Sequence, residues 1–596
     1  MIKVIKKQPT GTFNATRRKG NYLIGESTVN YGPTEVTGFY GAIEPPEGGF
    51  TLYMDKETGG PSIKVFDTQQ KLIDFCNEKL GSDQSTIFDT IDWINQQDDY
   101  FVDPNYFEFS VKTDNTGTSS SNQFQLPLIS SGDINFLVDW GDGNTDTITT
   151  YNQSETTHTY TSGGTYTIKI AGIIKGFRFN NGGDRLKMLN ISNWGCLNIT
   201  DSSSFYGCEN MTCDAVDAPI ISTTSLQTTF YNCYLFNGPI GNWDISNVTT
   251  LSQLFRGARL FNQPLNEWDT SKVTILFWLF REASSFNQDL GRWNVSNVTN
   301  FYGVFQATRD FNNGGSPSIN DWNVSKGTTM GEMFRLTSFN QPLDKWDVSN
   351  VRSMFYMFDG SDFNQDISSW DVSNVANMTR MFQSTPFNQD IGSWNVSDVT
   401  SMDFMFYNAR SFNQDIGNWD VSNVVNMSQM FNLASSFTNG GSDSINSWNT
   451  SKTTNMYAMF RMSNFNQNIS NWDVSKISSM RYFFQRTPFN QDISGWNVSG
   501  VTDMVQMFIE ANNFDQNISL WDINQVTDFT SFMSLANGLS ITNYNNLLVA
   551  WEAQTPQSNI NINFGGSKYT PNSAAATARQ SLIDNYNWTI TDGGPA

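Results

Sequence analysis

Apolar residues return along the chain at a fixed phase. In the stretch FNQDIGSWNVSDVTSMDFMFYNAR, Phe387, Ile391 and Trp394 point toward a common interior and Val399, Met402 and Phe406 follow at helical spacing. Twelve tryptophans (Trp243, Trp268, Trp293, Trp322, Trp346, Trp370, Trp394, Trp419, Trp448, Trp472, Trp496 and Trp521) keep that phase in steps of 24 or 25 residues, with two steps of 29. A period of this length predicts one supersecondary unit per repeat, a short strand plus a short helical or 3₁₀ segment, whose apolar face is covered only when its neighbours stack on it. Residues that recur in every repeat are core fillers, so the periodic tryptophans are expected inside.

The polar positions repeat as well. Asp or Asn follows each of the twelve tryptophans, with Ser two residues further on in all but the last, which suits a corner where side-chain oxygens hold backbone N–H groups. Asn287, Asn364, Asn388, Asn413 and Asn490 share one phase and predict a ladder of stacked amides. Two residues later stands either Asp (Asp289, Asp366, Asp390, Asp415, Asp492) or Pro (Pro239, Pro264, Pro342), so the site falls at a strand end and should form an exposed acidic row. A solvated acidic face is one reading of that row; calcium bridging adjacent coils is another, although no EF-hand or RTX loop is present. Two insertions, NNGGSPS at Asn312–Ser318 and TNGGSDS at Thr438–Ser444, lie five repeats apart and are expected to bulge freely from one edge.

The remaining chain divides by pattern. Residues 1–20 form a basic arm with Lys3, Lys6, Lys7, Arg17, Arg18 and Lys19 and no acid, read either as an anchoring peptide for an acidic partner or as a solvated arm. Residues 21–103 read as a small α/β attachment domain, with strand-like GFTLYM and SIKVF and helix-like TQQKLIDFCNEKL and IFDTIDWINQQ. Residues 104–172 carry short alternating strands joined by Gly- and Ser-rich turns, as in a β-sandwich. There the run VDWGDG, then HTY and GTYTIKI, resembles the PKD family of immunoglobulin-like domains, which implies turn and hydrogen-bonding roles for Asp139, Asp142 and His158. Residues 173–540 hold about 14 coils, and their FNQDIGNWDVSNVTNMSQMF pattern resembles the BspA-like leucine-rich repeats of bacterial surface proteins, mycoplasma lipoproteins and some viruses. Residues 541–596 resemble the C-terminal cap that closes such arrays. The fold expected is mostly β with short helices: a small α/β domain, a PKD-like immunoglobulin sandwich and a capped leucine-rich-repeat-type solenoid.

Charge narrows the partners. At a formal net charge of −22, nonspecific binding to nucleic acid is not expected. No run of 18 apolar residues could insert in a membrane, and no apolar segment after the basic start marks a secretion signal. Five cysteines are too few and odd in number for a disulfide framework, and Cys208 and Cys233 share a repeat phase as small core residues. With no phosphate loop, nucleophile elbow, HExxH or CxxC, no catalytic residues, structural metal site or cofactor are expected. Contacts with a ligand would come from the variable aromatics Trp278, Tyr302, Tyr356, Tyr407, Tyr457 and Tyr482 and from the acidic row. The layout implies a phage virion component (fibre, decoration or receptor-binding subunit) on the virion surface. It would touch other virion proteins through its N-terminal region and a host-surface polysaccharide or protein through its repeats. A bacterial cell-surface adhesin is the alternative, and a polysaccharide-processing enzyme a third class. A homo-oligomer is compatible with this layout, although no heptad or collagen-like segment specifies one.

Overall fold

The computed structural model describes residues 13–19, 22–31, 34–40, 50–54, 62–66, 73–80, 100–102 and 106–596. The chain divides into two compact units, Met1–Val273 with Leu279–Gln288, and Thr274–Trp278 with Asp289–Ala596. It is mostly β with few short helices, and among the described residues no sheet closes into a barrel.

In the first unit, β1 (Phe13–Lys19), β2 (Tyr22–Tyr31) and β3 (Thr34–Tyr40) form an antiparallel sheet, and β4 (Phe50–Met54) pairs with both β5 (Ser62–Phe66) and β6 (Tyr100–Val102). Arg17, Arg18 and Lys19 therefore lie in a strand, opposite Ile24, Leu23 and Tyr22. Lys3, Lys6 and Lys7 lie outside the described residues, as does the helix expected in IFDTIDWINQQ.

The next strands are β7 (Phe107–Lys112), β8 (Gln123–Gln125), β9 (Ile134–Asp139), β10 (Thr145–Ile148), β11 (Thr157–Thr159) and β12 (Thr165–Lys175). β8 and β11 make a separate pair, whereas β10-β9-β12-β7 continue into β13 (Met188–Asn193) and β15 (Thr212–Cys213), and β14 (Leu197–Ile199) pairs with both β12 and β16 (Ile220–Ile221). The sheet thus runs through the boundary expected at residue 172, because β13 pairs with β7 and β12 extends past it. The tight turn after β9 is built by its own residues. Asp139 Oδ1 accepts from Gly141 N at 2.9 Å, and Gly141 holds φ +78° where a Cβ would strike the Thr167 carbonyl. His158 stacks on buried Trp140 at 4.8 Å and 8° while its Nε2 lies 2.9 Å from Asp142 Oδ2. Burial would raise the Asp142 carboxyl, but hydrogen bonds from His158 and Asn144 outweigh it and hold it low.

A fully buried ion pair locks this region. Lys187 Nζ donates to Ser119 O, Ser119 Oγ, Ser120 O and Gln123 O, and stands 3.8 Å from Asp184 Oδ1. Asp184 in turn accepts from Ser119 N and Gln125 N. Burial lowers the Lys187 ammonium and Asp184 partly offsets it. All five cysteines are buried free thiols, and burial pushes Cys196 up to about 11.

In the second unit the repeats pair through single parallel bridges, Ile275 to Asn300, Thr329, Ser353, Asn377, Ser401, Asn426 and Asn455 in turn. After each bridge the chain does not enter the helix that the spacing of Val399, Met402 and Phe406 suggests. Those three side chains are buried, but Phe404 and Asn408 adopt φ +55°. The reason lies in the hydrogen bonds. Met405, Tyr407 and Ala409 donate back three residues, to Met402, Phe404 and Phe406, while Phe404, Phe406 and Asn408 donate to Ser428, Met430 and Asn432 of the next repeat. Alternate N–H groups are claimed by the neighbour, so a helical ladder cannot form.

The tryptophans lie inside, and from Trp322 to Trp521 each indole ties two repeats. Trp394 Nε1 donates to Ile367 O at 3.2 Å, Trp419 to Ile391 O at 2.9 Å and Trp472 to Ile445 O at 3.0 Å. The Asn ladder differs from stacked amides. Asn364 Oδ1 accepts from Asn388 N of the next repeat at 2.9 Å and from Gln389 Nε2 at 3.0 Å, so each side-chain carbonyl closes a backbone donor. Nor are the insertions free. Asn313 and Asn439, both fully buried, present Oδ1 to Leu290 N and Ile416 N, and the flanking residues wind into 3₁₀ turns Pro317–Asp321 and Asp443–Ser447.

The array ends in α1 (Ile541–Glu552), β17 (Asn561–Asn563), α2 (Ala574–Tyr586) and β18 (Thr589–Thr591). Trp551 of α1 donates to Ile518 O at 3.3 Å, as a repeat tryptophan does, and Met533 N bonds Asn563 O of β17. The last repeat is covered by a segment that copies its hydrogen bonds.

Candidate ligand-binding face

Each repeat presents two residues between a pair of buried core side chains, just after its bridge. In successive repeats of the second unit these pairs include Phe277–Trp278, Tyr302–Gly303, Gly331–Glu332, Phe355–Tyr356, Thr379–Arg380 and Asp403–Phe404. The second member of each of these pairs is left-handed, with Trp278 at φ 54°, Tyr356 at 56° and Phe404 at 55°. A bulky side chain there costs about 1–2 kcal/mol relative to glycine. The conformation belongs to the repeat, since Gln429 and Gln506 share it; the choice of an aromatic residue for it does not.

These aromatics form a strip. Phe277 stacks on Trp278 at 4.4 Å and on Tyr302 at 5.5 Å, and Tyr302 meets Phe355 at 5.6 Å. Arg335 and Arg380 lie over the Tyr356 ring at 4.7 and 5.1 Å, and Arg380 lies 4.2 Å over Phe404, which meets Tyr407 at 5.5 Å. Two glycines make room. A Cβ on Gly303 would overlap the Trp278 indole, and one on Gly331 would fall 2.6 Å from Phe355 Cε1, so Trp278 and Phe355 can lean across neighbouring repeats toward Tyr302. The polar groups are fixed too. Tyr302 donates to Glu332 Oε1 at 2.8 Å, and Arg335 Nε donates to Asp359 Oδ2 at 2.8 Å. Burial pushes the Asp359 carboxyl up, against the lowering effect of Arg335.

Of the six expected aromatics, the structure therefore links Trp278, Tyr302, Tyr356 and Tyr407 through Phe277, Phe355, Arg380 and Phe404, and all are half-buried. Tyr457 and Tyr482 form a separate pair at 5.6 Å and 87°. The acidic row is not a free ligand set. Asp366, Asp390 and Asp492 each accept from the N–H two residues on, at 2.9 Å, and are exposed. Asp289 and Asp415 serve the insertions, accepting from Gly291 N and Gly417 N and from Ser318 and Ser444 hydroxyls. Among the described residues no group of three or more His, Cys, Asp or Glu could hold a metal ion, and no helix is long and apolar enough to cross a membrane.

The sequence model of a family described as "Mycoplasma protein of unknown function, DUF285" matches residues 224–335, 315–386, 361–443 and 438–547. The overlapping matches run unbroken over more than half of the chain. The chain belongs to the DUF285 family. The BspA-like character read from the repeat motif holds over this DUF285 stretch, which contains the whole aromatic strip. Neither a curated protein nor a solved structure matches the chain.

Proposed function

We propose that this DUF285 protein is a non-enzymatic binding protein whose capped solenoid is displayed for adhesion to a host-surface polysaccharide or protein. The observation that carries the reading is the strip from Phe277 to Tyr407, where bulky aromatics occupy left-handed positions and glycines clear space for them. Burying those rings in the core would serve stability better, so their half-exposed placement supports contact with a ligand. The stack of small periodic units before a cap supports an extended surface and not a catalytic cleft. A PKD-like sandwich ahead of the repeats fits a spacer, with the sheet shared by β7 and β13 making the junction stiff.

The place of display is a phage virion, attached through the N-terminal region to other virion proteins as a fibre, decoration or receptor-binding subunit. A bacterial surface adhesin is the second reading, favoured by the Mycoplasma description of the matching family. Quantitative mass spectrometry of density-purified particles and of washed cell envelopes separates the two. Enrichment in particles at a fixed ratio to the major capsid protein is expected; recovery in envelopes alone overturns the virion placement in favour of the adhesin. A reducing-sugar assay on polysaccharide substrates should show no turnover.

A further inference from the structure

We propose that the strip from Phe277 to Tyr407 binds an uncharged polysaccharide laid across successive repeats. This rests on the binding-protein reading above and assigns its ligand class. Aromatic rings whose faces are partly open accept the apolar C–H face of a pyranose, because the ring face is electron-rich and the sugar face is not. Here the rings come from several repeats, spaced by the backbone bonds Trp278 N to Tyr302 O, Tyr356 N to Thr379 O and Phe404 N to Ser428 O, so the platform is long and rigid. A polymer with a repeating ring suits it better than a compact ligand.

The polar groups set the charge of the partner. Arg335 and Arg380 stand among Glu332 and Asp359, and Arg335 is already paired with Asp359 at 2.8 Å. No cationic excess remains to draw a polyanion, and the chain as a whole, at −22, repels one. Hydrogen-bonding groups remain open on the face, where Glu332, Arg335 and Arg380 are half-buried beside the rings. Donors and acceptors of both kinds, mixed with ring faces and without net charge, match the hydroxyls of a neutral sugar.

The test is affinity electrophoresis of the full chain through gels containing neutral glucans, mannans or galactans, or acidic polygalacturonate or dextran sulfate. Trp278→Ala, Tyr356→Ala and Gly331→Ala are compared with wild type and with Asp366→Asn, which lies off the strip; circular dichroism confirms that each variant is folded. Retardation by at least one neutral polymer, insensitive to salt, is expected, and the Trp278 and Tyr356 variants should weaken it by about tenfold. Gly331→Ala, which must displace Phe355, should weaken binding without lowering the melting temperature comparably. Salt-sensitive retardation by acidic polymers alone would overturn the neutral class and leave the binding reading standing. Neutral binding that the strip variants do not alter would move the site elsewhere and overturn the proposal. Adsorption to cells of the source culture with no polysaccharide bound would point to a protein ligand, and loss of both would overturn the binding function as well.

Discussion

At the scale of single residues, the buried polar side chains are the exacting positions. Lys187→Met would remove the hydrogen bonds donated to Ser119, Ser120 and Gln123 and leave the Asp184 carboxylate buried without its cation. A loss of about 3–5 kcal/mol is expected in the first unit, read from urea unfolding monitored by near-UV circular dichroism. Asp289 and Asp415 give a signed pH dependence. Burial would raise both carboxyls, yet hydrogen bonds from Ser318 and Gly291, and from Ser444 and Gly417, hold them below the ordinary value. A depressed folded-state pKa contributes stability that is present above the unfolded value and lost as pH falls through the folded one. Replacing both by Asn should therefore flatten the drop in melting temperature below about pH 4, measured by calorimetry on the full chain. Little of this was visible in the sequence. Lys187 lies outside the regular repeats, and Asp289 shares its motif with Asp366; only the insertion beside it gives its carboxylate different partners.

At the scale of the element, the unit that can be added or removed is a whole repeat. Deleting Phe387–Arg410 would let Asn413 N meet Asn364 Oδ1 in place of Asn388 Oδ1, since each repeat offers the same acceptors. The shortened chain should unfold cooperatively with a modest fall in melting temperature, whereas deletion of half that segment should yield insoluble protein. The period, the buried tryptophans and the Asx corners were legible because each depends on composition at a fixed phase. The helical segment was misread because Val399, Met402 and Phe406 satisfy a 3.6-residue spacing equally well when the chain between them is a run of turns. Nothing in the phase of apolar residues reports which carbonyl an N–H will choose. The aromatic strip had a signal that could have completed it. Phe277, Phe355 and Phe404 stand, like Tyr302, Tyr356, Tyr457 and Tyr482, in the two-residue gap between paired apolar core positions, and Gly303 and Gly331 break that gap's usual composition.

At the scale of the molecule, charge decides solution behaviour. With a net charge of −22 and an isoelectric point near 4.4, self-repulsion keeps chains apart at neutral pH and vanishes on mild acidification. Light scattering should show reversible association near pH 4.4, before the carboxylates that support folding are protonated. The alternating bonds of the repeats have a wider effect. Around Phe404 the N–H groups point to the following repeat, whereas Thr400 N, Asn388 N and the Trp394 indole point to the preceding one. Met402, Phe404, Phe406 and Asn408 all donate forward, and the carbonyls of the same peptides accept from the repeat before, so four peptide dipoles per repeat share one direction against the one of Thr400. Each extra repeat in the second unit thus adds dipoles of the same sense, and an exposed end of such a stack would offer mainly donors or mainly acceptors. A family made this way can lengthen or shorten its arrays by duplication only if both ends stay covered, while the side chains in each two-residue gap diverge.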